Sequence, residues 1–394
     1  MVSRRLRKLE YPIRDIAVIA DEVRKQGKEI IHLNIGDPVK YDFKTPAYIC
    51  NAMARAALDG QNFYVDSLGV PELRKEICRY ERNKNSINIT PDDILVTSGV
   101  TEGIFFSLSA LLENKAELLV PGPSYPLYIS YARFFDGVPV EYRLDETNDW
   151  EPDIDDLRGK ISDKTKAILM GTPNNPTGGL FGDKHVKDII DLAGEHDLVV
   201  ISDEIYDQIV FEKKYSCPAS YSKDVPIIGM NGFSKAHLAT GWRLGYLYYY
   251  DPAEKITELK ESIAKMARAR LCANSIAQYA AIEAIKNPGP HTDEMVLKLR
   301  KRRDYSYKRL RKIEGVDIVN ADGAFYLFPK IDFNEFSKWS NDKEFVVDLL
   351  RKTGICTVYG SGFGSYGKDH IRITFLPDLD TLEIVYNTLE DFLK

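Results

Sequence analysis

Between residues 94 and 230 the chain repeats one pattern: a short apolar run without internal alternation, a polar turn, then a segment of helical periodicity. The runs are 94–97, 118–120, 167–170, 198–201 and 227–230, and segments such as 102–112 and 183–196 fill intervals between them. A strand buried on both faces needs apolar side chains at consecutive positions, whereas a half-solvated strand alternates. Such strands separated by helices define an α/β fold with helices packed on a mostly parallel sheet.

A turn cluster at 287–290 closes a long helical stretch that starts near Pro252. A basic helix, the Asp322-Gly323 turn and short strands at 325–328 and 371–375 follow. The expected organisation is a large domain over 47–285, with a smaller α+β domain built from the N-terminal segment 1–46 and the C-terminal 286–394. A chain of 394 residues, 44% hydrophobic and 28% charged, has the size and composition for such a pair, with little room for extended disorder.

The net charge of -6 gives no global attraction to nucleic acid. The basic run 298–312 carries Tyr305 and Leu310 at helical spacing and reads as a solvated helix face. Five scattered cysteines without a CxxC pair fit reduced thiols rather than a metal or redox site. No apolar segment follows the basic stretch 1–8 as in a secretory signal, and none is long enough to span a bilayer. A cytoplasmic chain without membrane or nucleic-acid partners is expected.

Ligands of open parallel sheets bind beyond the carboxyl ends of the strands, and here those ends are unusually polar. After the first run, Ser98-Gly99-Val100-Thr101 opens a helix, a suitable seat for phosphate or a plain helix cap. Tyr125 follows the second run and could stack on a flat ring or simply pack. Asn174-Asn175-Pro176-Thr177-Gly178 follows the third. Asp203 and Tyr206, after the fourth, are spaced to share one side of a helical turn. Ser234-Lys235 ends the fifth, with Arg243 shortly beyond. A lysine desolvated at a strand end has a lowered pKa and suits Schiff-base chemistry with an aldehyde. Amine, carboxylate and guanidinium together meet the needs of pyridoxal 5′-phosphate, whose aldehyde, ring nitrogen and phosphate require them in that order.

The motifs Asn174 to Gly178, Asp203-Glu204-Ile205-Tyr206, Ser234-Lys235, Gly241-Trp242-Arg243-Leu244-Gly245 and Ile371-Arg372-Ile373 occur in one order over nearly the whole chain. In this the chain resembles the class I/II aminotransferases of the fold-type I pyridoxal-phosphate enzymes. The resemblance implies that Lys235 carries the cofactor and moves the substrate proton, and that Asp203 pairs with the ring nitrogen. It further implies that Asn175 and Tyr206 bind the ring oxygen, that Tyr125 stacks, and that Val100, Thr101 and Arg243 hold the phosphate. Arg372 and Gly36 would bind the substrate carboxylate, Arg372 alone being equally compatible with a structural salt bridge. Tyr64 matches a tyrosine that reaches the phosphate of a neighbouring subunit, which implies a homodimer with shared sites.

Where many relatives have a hydroxyl three residues before the lysine, this chain has Gly232, and Ser234 is the candidate substitute. The near P-loop at 362–369 fails because Asp369 stands where a hydroxyl should and a strand follows in place of a helix.

The stretches 146–157, 270–274 and 32–36 look most similar to alanine (glutamate-pyruvate) aminotransferases. Alanine and 2-oxoglutarate are therefore the expected substrates, ahead of aspartate or broad specificity and of a β-lyase. A distal carboxylate calls for a second cation, for which Arg268 and Arg270 are candidates as well as plain surface arginines. A non-catalytic effector-binding module is disfavoured by the complete set of cofactor residues.

Overall fold

The structure, a computed structural model, describes residues 2–394, so only Met1 of the N-terminal stretch lies outside it. Its centre is an eight-stranded sheet: β1 (Ile94–Thr97), β2 (Glu117–Gly122), β3 (Val138–Asp145), β4 (Glu151–Pro152), β5 (Thr165–Gly171), β6 (Val199–Asp203), β7 (Ile227–Gly232) and β8 (Gly245–Tyr250). The spatial order is β1-β8-β7-β6-β5-β2-β3-β4. Strands β7, β6, β5, β2 and β3 pair in parallel, and β8 runs antiparallel between β7 and β1.

The unalternated apolar runs are explained by two cores, one on each face. Ala167 and Leu169 of β5 join the cluster that holds Ile104, Leu108 and Ile263, whereas Ile168 and Met170 join the cluster with Val186, Ile189 and Leu73. Full burial of each such aliphatic side chain contributes about 1.5–3 kcal/mol, so a central strand cannot afford polar positions on either side.

Strands β3 and β8 do not stand out in the sequence pattern, because Val138–Asp145 carries Glu141 and Arg143 and Gly245–Tyr250 is mostly tyrosine. The stretch beyond Pro252 is two helices, Thr257–Arg270 and Ser275–Lys286, rather than one. Leu271 breaks it at φ 79, and the Asn274 side chain caps the second helix by accepting from the Ala277 N–H at 3.0 Å.

The chain ends meet. Strand Ile31–His32 pairs in parallel with Ile355–Cys356, and strand Ile371–Thr374 lies between Tyr326–Leu327 and Val358–Tyr359. The former P-loop candidate forms two short 3-10 turns whose N–H groups are satisfied by the chain's own carboxylates: Ser365 donates to both oxygens of Glu141 at 2.9 and 3.1 Å, and Ser361 donates to Asp342. The cysteines are free thiols, three of them buried. Among the described residues no helix is long and apolar enough to cross a membrane, and no cluster of three or more metal-ligating side chains occurs.

Candidate active site

Because β1, β2, β5, β6 and β7 run the same way, the residues after them emerge along one edge of the sheet. The reversed strand β8 begins at that edge, with Gly245 opposite both Gly232 and Thr97. Arg243, just before β8, therefore arrives from the opposite chain direction beside the loops that follow the other strands. A cavity of about 490 Å³ opens there, in the size range of small-molecule sites. It is lined by Gly36, Val100, Thr101, Tyr125, Asn175, Asp203, Tyr206, Ser234, Lys235, Arg243 and Arg372. These are all the residues expected from the sequence except Tyr64, which is 79% exposed and outside the cavity.

One end of the cavity is built for an anion. Helix Val100–Leu111 starts there with no side-chain cap; the Glu102 N–H donates to the Gly99 carbonyl at 3.1 Å, while the Val100 and Thr101 N–H groups are left for a ligand. Gly99 precedes it at φ 79, and a Cβ at this position would lie 2.8 Å from the Arg243 guanidinium. Glycine is needed both for the backbone conformation and for the close approach of the cation.

At the centre, Lys235 Nζ donates to the Gly36 carbonyl at 2.7 Å. Burial pulls its pKa down to about 8; Arg372 and Arg243 add to the fall, while Asp37 and Asp203 oppose it. Asp203 is buried, and desolvation pushes its carboxyl above the usual range. Tyr128 Oη donates to one of its oxygens at 2.7 Å and the Ile205 N–H to the other at 3.2 Å, so its orientation is set from two directions. Asp203 ends β6 and Tyr206 follows in an irregular turn, so the expected helical turn is absent.

The far wall comes from the chain ends. Arg372 is buried, donates from Nη1 to Asn175 Oδ1 at 2.9 Å and from Nη2 to the Asn34 carbonyl, and keeps Nε without a partner. That buried guanidinium N–H is a donor to which the fold itself supplies no acceptor. Tyr11 Oη bonds Tyr125 Oη at 2.9 Å, and Arg14 joins it on the cavity wall from helix Pro12–Lys25.

Arg268 and Arg270 do not line this cavity. Arg268 is paired with Glu261 at 2.6 Å on the surface, and Arg270 turns inward to the Ser67 and Val96 carbonyls at 3.4 and 3.2 Å. Gly232 has a steric reason, since a Cβ there would sit 2.9 Å from the Leu244 carbonyl oxygen and 3.0 Å from Gly245 Cα. Tyr11, Arg14, Tyr128 and Tyr326 escaped the sequence reading because each lies outside the motifs and reaches the site only through folding.

Residues 28–389 match the model of aminotransferase class I and II. The chain belongs to that family. An alanine aminotransferase of Mycobacterium tuberculosis is 35% identical, with 99% of this chain and 92% of the relative covered. The glutamate-pyruvate aminotransferase of Escherichia coli is 33% identical, with 100% and 97% covered. The solved alanine aminotransferase of Pyrococcus furiosus superposes with a TM-score of 0.97 at 49% identity, over 100% of this chain and 99% of that one. In this aminotransferase the large, mostly parallel sheet is that of the fold-type I enzymes.

Proposed function

We propose that this aminotransferase interconverts alanine and 2-oxoglutarate with pyruvate and glutamate, using pyridoxal 5′-phosphate held at Lys235. The observation that carries this reading is the convergence of Lys235, Asp203, Arg243 and Arg372 on one cavity. The donor set fits the cofactor: a buried amine with a lowered pKa, a buried carboxylate, and a glycine-lined helix start beside a guanidinium. When bound, the cofactor supplies an aldehyde that takes up the amino group and a ring that draws electrons from the substrate α-carbon.

The chain's own residues do the rest. Lys235, neutral in an appreciable fraction near pH 8, takes and returns the proton at the substrate α-carbon. Asp203, held by Tyr128, pairs with the positive ring nitrogen, and that cation offsets the cost of burying the carboxylate. Asn175 accepts from Arg372 through Oδ1, leaving its amide N–H groups for the ring oxygen, which Tyr206 also meets. Arg243, Ser234 and the N–H groups at Val100 and Thr101 hold the phosphate. Tyr125 stacks on the ring. Arg372, with Gly36 beside it, grips the α-carboxylate.

Arg14 replaces Arg268 and Arg270 as the second cation, because it lines the cavity and they do not. It would meet the distal carboxylate of glutamate or 2-oxoglutarate. The exposed Tyr64 suits a role in the site of a second copy, as in a homodimer with shared sites. The division into 47–285 and the two chain ends, and a cytoplasmic location, complete the reading.

Initial rates of the purified enzyme with alanine, aspartate and aromatic donors against 2-oxoglutarate test it. Alanine should be preferred, and a strong preference for aspartate would overturn the assignment. Arg14→Ala should raise KM for 2-oxoglutarate by about tenfold or more while changing KM for alanine little, as expected for the loss of one charge-assisted contact.

A further inference from the structure

One buried side chain on the cavity wall belongs to none of the motifs yet touches three parts of the site. Tyr326 stands on strand Tyr326–Leu327, paired with Ile371–Thr374 so that it lies opposite Thr374, near Arg372. Its hydroxyl is 2.7 Å from that of Tyr206, either oxygen being able to donate. Its ring lies over the Arg372 guanidinium, 4.5 Å from the central carbon. A Cβ on Gly36 would come within 2.1 Å of the Tyr326 oxygen, so the backbone whose carbonyl holds Lys235 packs directly on this phenol.

We propose that Tyr326 is a positioning residue that acts through Tyr206, donating its phenolic proton to the Tyr206 oxygen so that the proton of Tyr206 points into the cavity. This rests on the functional reading above, in which Tyr206 meets the ring oxygen. A phenol rotor has two in-plane settings, and an uncommitted pair would spend part of its time with the Tyr206 proton turned toward Tyr326. Once an oxygen in the cavity accepts the Tyr206 proton, the Tyr326 hydroxyl at 2.7 Å is left as the donor of the pair, and hydrogen bonds in a chain polarise one another, which makes Tyr206 the stronger donor. The ring of Tyr326 meanwhile covers one face of the Arg372 guanidinium.

The test is a pH titration of the visible absorption of the purified holoenzyme, for wild type, Tyr326→Phe, Tyr206→Phe and the double variant. Tyr326→Phe should move the midpoint by about half a pH unit to one unit, the worth of one hydrogen bond, in the same direction as Tyr206→Phe. In the Tyr206→Phe background the second substitution should add no further shift. An unmoved midpoint in Tyr326→Phe, or an equal shift in both backgrounds, overturns the proposal. Tyr326→Phe removes one atom and keeps the ring on Arg372, so KM for alanine should stay within about twofold. A rise beyond about tenfold would assign the residue to the carboxylate site and would also overturn the proposal. A wild-type holoenzyme preparation with no visible band would overturn the functional reading itself, and this proposal with it.

Discussion

Asp203 and Glu204 are consecutive, both buried, and both pushed above the usual carboxylate range by desolvation, yet they sit in opposite kinds of surroundings. Asp203 faces a cavity that also holds Lys235, with Tyr128 donating to it. Glu204 faces a closed network. Its oxygens meet Tyr248 Oη at 2.6 Å and Cys217 Sγ at 3.9 Å, and two further carboxylates, Glu81 and Asp207, raise its pKa further. Glu81 accepts from Tyr246 at 2.5 Å and Asn85 at 2.6 Å, while Asp207 accepts from Asn231 at 2.8 Å and pairs with Lys84. Burial alone does not make a catalytic carboxylate. It raises the pKa in both places; the cation of the closed network, Lys84, pairs with Asp207, and Asp203 faces a cavity with room for a cationic partner to bring its charged form back.

The largest effect that would sharpen this contrast is at the amine. Lys235→Ala should lower turnover by at least about 10³-fold, measured by single-turnover kinetics, without unfolding the chain. Activity within tenfold of wild type would end the comparison. Next comes Asp203→Asn, which should cost about 10²–10³-fold in kcat while leaving the melting temperature unchanged or higher, since it removes a buried carboxylate.

The smallest effect belongs to Glu204→Gln, which should leave kcat within about threefold of wild type and act on stability instead. A carboxyl whose pKa is raised in the folded state binds more protons there than when unfolded. Its share of stability is intact below the usual carboxylate range and is lost as pH rises through the raised value. Between pH 5 and 9 the melting temperature of wild type should therefore fall more than that of Glu204→Gln. Parallel curves for the two proteins would contradict a protonated Glu204. Lys235 in the cofactor-free chain has the opposite sign: its pKa is lowered to about 8, so its cost is full below that value and is relieved as pH climbs toward the ordinary lysine range.

Much of the site could be read without coordinates because its chemistry sits at strand ends. Asp203, Lys235 and the helix start at Val100 each follow an apolar run, and parallel strands bring such residues to one edge. Arg243 could be read from its motif, although the reversed strand that delivers it could not: the tyrosines of Gly245–Tyr250 conceal a buried strand. Arg268 and Arg270 stand at a helix end beside the stretch 270–274 and do not line the cavity, whereas Arg14 reaches it from a helix near the start of the chain.

The amino-acid sequence by itself determined five of the strands buried on both faces and which amine, carboxylate and guanidinium stand at or near strand ends, since these depend on local pattern and short spacing. The tertiary structure alone decided what surrounds such groups: Tyr128 on Asp203, Tyr326 on Tyr206, and Glu81 near Glu204. Those partners are 75, 120 and 123 positions apart, and no local periodicity encodes a contact that forms only when separate elements pack together.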